Sequence, residues 1–369
     1  MIRSPYFLIL FWFLFIFVFS RYIEVTKKKR IMGKERTIVT WWFAILVFLP
    51  LIIMATNRPL KVGDTMQYIR AYNNMPSGFS AIPKYYSGLK KDKAYYSLGS
   101  IIKCFFGSDY KIYFFIIATI QAFGMVRLYR KYSPDYVTAI FLFLLSTDFV
   151  SWMQNGTRQF VAVSICLLAV DFMLQKKYIP AVIFVLIASR FHQSALLVIP
   201  VMFVVQGEPW NWKTLIFIFL TVLAIRFVDQ FTNLLDNALE ETQYENVVSD
   251  WQSWNDDGTN PLRVLIYSMP AILSLVGLRY IRKEKDVVIN FATNMSIVAS
   301  GLYLVSMVTS GIFIGRLPIY VSLYSQGILL PWEIDHIFNK QSSQIIKICM
   351  ILLYIAFYIY QINRWGYFQ

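Results

Sequence analysis

The chain has 369 residues, 57% of them apolar and 15% charged, with a mean hydropathy of +0.52 and a formal charge of +14. That composition excludes an ordinary soluble domain, and three widely spaced cysteines (Cys104, Cys166, Cys349) exclude a disulfide framework or a cysteine metal site. Much of the positive excess flanks apolar runs, where anionic lipid accounts for it, so no nucleic-acid partner is expected.

In hydrocarbon the backbone must satisfy its own hydrogen bonds, so long charge-poor runs read as helices. The predicted fold class is all-α: a polytopic helical membrane protein with about twelve transmembrane helices, residues 1–369 forming a single integral membrane domain. In chain order the spans are expected near 5–22, 38–55, 109–126, 136–151, 159–175, 178–191, 194–206, 213–228, 262–278, 288–309, 317–332 and 344–362. The first should be retained, because its basic cluster follows the apolar run and no small-residue cleavage site is visible. Several are short for a straight crossing, and 178–206 reads either as two spans or as one long tilted helix.

Basic clusters at Lys27–Arg36, Arg127–Lys131, Lys176–Lys177 and Arg279–Lys285 all lie in the cytoplasm only if 178–206 counts as two spans. Both termini and two large loops, 58–108 and 229–261, then lie outside, and the loops are expected to form a cap. The second loop is acidic. The first is basic, and its Lys90, Lys91, Lys93 and Lys103 are either solvated or face an anionic ligand. Residues 94–107 are amphipathic and too short to span, which suits an interfacial or re-entrant helix.

Four polar segments fall on the same expected face: Gly63-Asp64-Thr65, Gln154 through Gln159, Arg190 through Ser194, and Gly315-Arg316. Each has an ordinary alternative. An arginine at a span end anchors at the interface, Asp64 after Gly63 caps a helix, and a lone histidine in a tight turn is structural. Their shared sidedness favours a site, because charge at a membrane edge is costly and is commonly retained for function.

Gly63-Asp64 with Tyr68, Arg158-Gln159 with Ala162, Ala188 through Phe191-His192-Gln193-Ser194-Ala195, and Arg316 with Tyr320 together resemble the EpsG family over about residues 40–335. These are bacterial multispanning proteins grouped with Wzy-type polysaccharide polymerases. The resemblance implies joining of repeat units carried on undecaprenyl diphosphate at the outer face of the cytoplasmic membrane. Implied partners are that lipid-linked oligosaccharide, the bilayer, and chain-length regulator and export proteins.

Displacing a diphosphate from an anomeric carbon needs cationic donors for the departing oxygens, and the acceptor hydroxyl benefits from a base. Arg158 and Arg316, with Arg190 in reserve, are the expected diphosphate-binding residues, since a guanidinium matches phosphate oxygens and stays charged. Asp64 and His192 are the catalytic candidates, and the sequence does not choose between them. Gln159, Tyr244, Trp251 and Trp254 are candidate sugar contacts, the aromatics through their faces or else as packing of the loop. No metal or cofactor is expected. A glycosyltransferase of the GT-C kind using Asp64, a lipid-linked oligosaccharide flippase and a membrane O-acyltransferase using His192 are the competing classes.

Overall fold

Each expected apolar run is helical in the computed structural model, which describes residues 4–20, 22–23, 25–239 and 258–367, with backbone alone over 235–239. Length and composition nevertheless support three crossings, Tyr110–Tyr132, Val287–Met307 and Lys340–Arg364, or up to six when each sharply bent helix pair counts as one. The expected twelve is not confirmed by that measure, and five shorter apolar helices, Pro5–Phe19, Trp41–Thr56, Thr157–Leu168, Tyr178–Phe191 and Gln193–Val204, fall outside it. A straight crossing takes about 20 residues, and most of the remaining helices are shorter or interrupted. The break after Leu145, for instance, passes through Thr147 at φ +69° and bends the chain by 81°. The inside-outside assignment of the loops therefore has no structural count behind it.

The described chain forms two compact units. The first comprises residues 1–172, 177–196 and 340–369. It opens with α1 (Pro5–Phe19), then a hairpin of β1 (Thr26–Ile31) and β2 (Lys34–Val39), paired antiparallel from Thr26 with Val39 to Ile31 with Lys34. The hairpin replaces the loop expected there. Then come α2 (Trp41–Thr56), α3 (Thr65–Asn74), α4 (Ile82–Gly88), α5 (Lys93–Phe106), α6 (Tyr110–Tyr132) and α7 (Tyr136–Leu145). A π-helical turn, Phe149–Asn155, leads into α8 (Thr157–Leu168), α9 (Val170–Leu174) and α10 (Tyr178–Phe191). The C-terminal helix Lys340–Arg364 returns to this unit.

Local chemistry sets several helix starts. The Asp109 carboxylate accepts from Lys111 N at 2.8 Å to open α6, and Asp135 accepts from Thr138 N at 3.0 Å to open α7. Helix α6 packs closely on α8 because Gly124 has no Cβ; one built there would lie 2.7 Å from the Ser164 carbonyl. The expected amphipathic segment is α5. It lays Tyr95 and Ile102 into an aromatic cluster with Tyr68, Tyr72, Tyr113 and Phe114, in which Tyr72 and Tyr113 stack at 4.5 Å. Residues 58–108 thus form short helices that share a core with α6 and α8.

The second unit, residues 173–176 and 197–339, contains α11 (Val198–Val204), α12 (Trp212–Arg226), α13 (Val228–Leu239), α14 (Pro261–Val276), α15 (Leu278–Glu284) and α16 (Val287–Met307). After Arg316 come α17 (Ile319–Tyr324), a second π-helical turn at Ser325–Leu329 and α18 (Leu330–Ile337); the C-terminal helix is α19. Asn260 and Asp286 cap α14 and α16 by accepting from Leu262 N and Val288 N. Helix α16 is the centre of this unit, packed by α12, α14 and α17, and Tyr303 meets Tyr267 at 4.7 Å.

Candidate functional site

The first unit gathers its polar residues around the turn that joins the π-helix to α8. Gly63, at φ +46°, lies so close to Asn155 that an added Cβ would fall 2.2 Å from its Oδ1. Asn155 Oδ1 accepts from Asp64 N at 2.9 Å, and the Tyr68 hydroxyl donates to Asn155 O at 3.0 Å. These contacts fasten the first turn of α3 onto the turn before α8. Asp64 occupies the cap position of α3 without its side chain making a capping bond, so its carboxylate is not committed to the helix.

Arg158, in the first turn of α8, donates to Asp92 Oδ2 at 2.5 Å and to the Tyr96 hydroxyl at 3.3 Å. The Asp92 side chain is 2% exposed and that of Arg158 27%. Burial pushes the Asp92 carboxyl above the ordinary carboxylate range, with Arg158 and Lys91 pulling it back. Burial also opposes the charge on Arg158, but Tyr68 and Asp92 more than offset it and hold the guanidinium pKa above its usual value. Arg158 is therefore a buried ion pair as well as a helix-start arginine.

Its neighbour Gln159 donates from Nε2 to Ser194 Oγ at 3.2 Å, and the same oxygen lies 2.7 Å from His192 Nδ1. His192 ends α10 in extended backbone, its N–H closing the helix on Ala188 O at 3.0 Å. Asp64, Arg158, Gln159 and His192 thus share one unit, joined through Asn155 at one end and Ser194 at the other. Arg190 is exposed in the last turn of α10, where a cation suits the helix dipole.

Arg316 lies in the second unit, in a 3-10 turn at Ile314–Arg316 beside the Gly258-Thr259 segment, with Thr259 N donating to Ser306 O at 2.9 Å. Tyr244, Trp251 and Trp254 lie outside the described residues. Lys103 departs from the expected anion-gathering role. Its buried ammonium donates to the carbonyls of Tyr72 (3.2 Å), Asn73 (2.7 Å) and Met75 (2.8 Å), closing the end of α3, whereas Lys90 and Lys91 are exposed.

Sequence reasoning missed Asn155, Ser194 and Asp92 as partners, and it missed Arg58. Asp92 was visible as one of two acids in a basic loop, but nothing in the pattern says which cation it meets.

A profile of the EpsG family matches residues 41–365. The chain belongs to the EpsG family. The match spans both units and all four motif segments, including Arg316, and extends beyond the region in which those motifs lie. No curated protein and no solved structure matches the chain. Membership marks an exopolysaccharide-related membrane protein, in keeping with its apolar helices.

Proposed function

We propose that this EpsG-family protein is a polysaccharide polymerase that joins undecaprenyl-diphosphate-linked repeat units at the outer face of the bacterial cytoplasmic membrane. The observation that carries the reading is the turn that starts α8, where Asn155 holds the backbone of Asp64 on one side and Gln159 bonds Ser194 beside His192 on the other. Residues from three distant segments thereby lie around one turn, beside a partly buried arginine ion pair.

In the proposed reaction the acceptor hydroxyl oxygen attacks the anomeric carbon of the growing chain as the bond from that carbon to the diphosphate oxygen breaks. Undecaprenyl diphosphate leaves, and the hydroxyl proton passes to a base. Arg158 stabilises charge developing on the departing diphosphate, and its pairing with Asp92 fixes the guanidinium for that task. Asp64 and His192 position or deprotonate the acceptor, with Ser194 setting the imidazole plane. Arg190 offers the carrier an exposed cation.

The test is polymer formation from defined lipid-linked repeats by purified protein. Arg158→Lys, Asp64→Asn and His192→Ala should each lower turnover, by roughly a hundredfold where a transition-state contact is lost. Wild-type turnover by all three would reject the site. Transfer from a single monosaccharide donor in place of polymerisation would point to a GT-C enzyme instead.

A further inference from the structure

Arg58, just beyond the end of α2, takes no part in the reaction above, although its side chain is deeply buried at 7% exposure. One guanidinium nitrogen, Nη1, donates to Gln154 O and to Thr157 Oγ1 (3.3 Å). The other two, Nε and Nη2, are buried with no hydrogen-bond partner, and Arg58 has no ion pair among the described residues. Phe114 stacks on the guanidinium at 3.8 Å and Tyr68 lies at 5.7 Å. Burial weakens the hold on its proton, and the surrounding phenols of Tyr95, Tyr68, Tyr113 and Tyr6 only partly offset this.

The position of the unpartnered nitrogens matters. Nε and Nη2 form one edge of the guanidinium, a parallel pair of N–H donors of the kind that binds two phosphate oxygens at once. Aromatic contact covers the flat face of a guanidinium and leaves such an in-plane edge available. Gln154, whose carbonyl already accepts from Arg58, also buries an amide Nε2 with no partner. A buried charge and several unmet donors are expensive to keep, and within a closed protein core they are normally satisfied. Their convergence is explained if an anion occupies the place.

We infer that Arg58 is a phosphate-binding residue of this site, its Nε/Nη2 edge taking two oxygens of a polyprenyl diphosphate. The assignment rests on the polymerase reading and adds a second cation to it, with Tyr68 near both arginines. Asp92 already balances Arg158, so Arg58 supplies the uncompensated positive charge that an incoming anion meets.

The experiment compares binding of undecaprenyl diphosphate and of undecaprenol to the full-length protein in nanodiscs. Wild type should prefer the diphosphate. Arg58→Lys, which keeps the charge and loses the parallel donors, should reduce that preference about tenfold or more with undecaprenol binding unchanged. Arg58→Gln should do the same by removing the charge and the paired donors, and it decides the matter alone if the lysine variant does not fold. Retained preference in a folded variant, or equal weakening of both lipids as expected from a turn anchor, overturns the assignment of Arg58 and leaves the polymerase reading standing. A wild type that does not distinguish the two lipids overturns both.

Discussion

In the first unit, buried polar side chains mostly find partners on other elements: the Tyr6 hydroxyl donates to Gln154 Oε1, the Gln121 amide to Thr157 O, and Arg158 to Asp92. In the second unit, the side-chain oxygens of Ser268, Ser296, Ser322, Ser325 and Glu333 are buried without a hydrogen-bond partner among the described residues. Cross-helix polar bonds specify one arrangement, because every alternative leaves a donor or acceptor unmet. In the first unit such bonds gather around the turn that starts α8, although Arg58, Gln121 and Gln154 there also keep unmet atoms. The second has such bonds too, from Trp210 Nε1 to Ser274 Oγ and from Asn294 Nδ2 to Val205 O, so the units differ in where their unmet groups lie: around Arg58 and Gln154 in the first, and on the buried carboxyl of Glu333 in the second.

The largest expected effect separates the units most sharply. Arg158→Ala strands the buried Asp92 carboxylate and should destabilise the first unit by about 3 kcal/mol, after allowance for the partly exposed arginine. Adding Asp92→Asn should recover most of that loss. Thermal unfolding of the four proteins in a double-variant cycle measures it, and simple additivity would show that the pair is not coupled. Next in size, Lys103→Gln removes an ammonium shared by three carbonyls at the end of α3 and should cost about 2 kcal/mol, seen as a lower melting temperature.

Glu333→Gln tests the other side of the comparison. Replacing a fully buried, unpartnered carboxyl with a neutral amide should raise stability by about 1 kcal/mol. A melting temperature lowered as far as in Arg158→Ala would show that the second unit is as tightly specified as the first. The smallest effect is expected for Lys90, Lys91 and Lys93 changed together to Gln: stability within about 0.5 kcal/mol of wild type, with substrate capture less dependent on salt.

Much of the fold was legible because apolar runs and Asp or Asn caps are local signals; Asp109, Asp135, Asn260 and Asp286 each stand where a helix begins. The Thr26–Val39 hairpin was not. Its first strand is almost wholly exposed and basic, so it shows no alternation of buried and exposed residues, and its backbone ladder has no side-chain signature. The number of crossings is less legible, because hydropathy finds apolar runs but not the breaks that divide them. In the site, the motif residues were readable as types, and Asp64, Arg158, Gln159 and His192 do fall in one unit. The pairing of Arg158 with an acid 66 positions away, and the unmet edge of Arg58, depend on tertiary packing that charge patterns do not encode.

The close approach of Gly63 to Asn155 also restricts how this sequence can diverge. A lineage could not exchange the glycine for a larger residue while asparagine stands opposite, since the new carbon and the amide oxygen would contend for the same space. Asparagine could shorten first only by giving up the bond that seats Asp64. The two positions should therefore drift together or not at all, and in a collection of related sequences they should behave as a single inherited character although 91 residues separate Asn155 from Asp64.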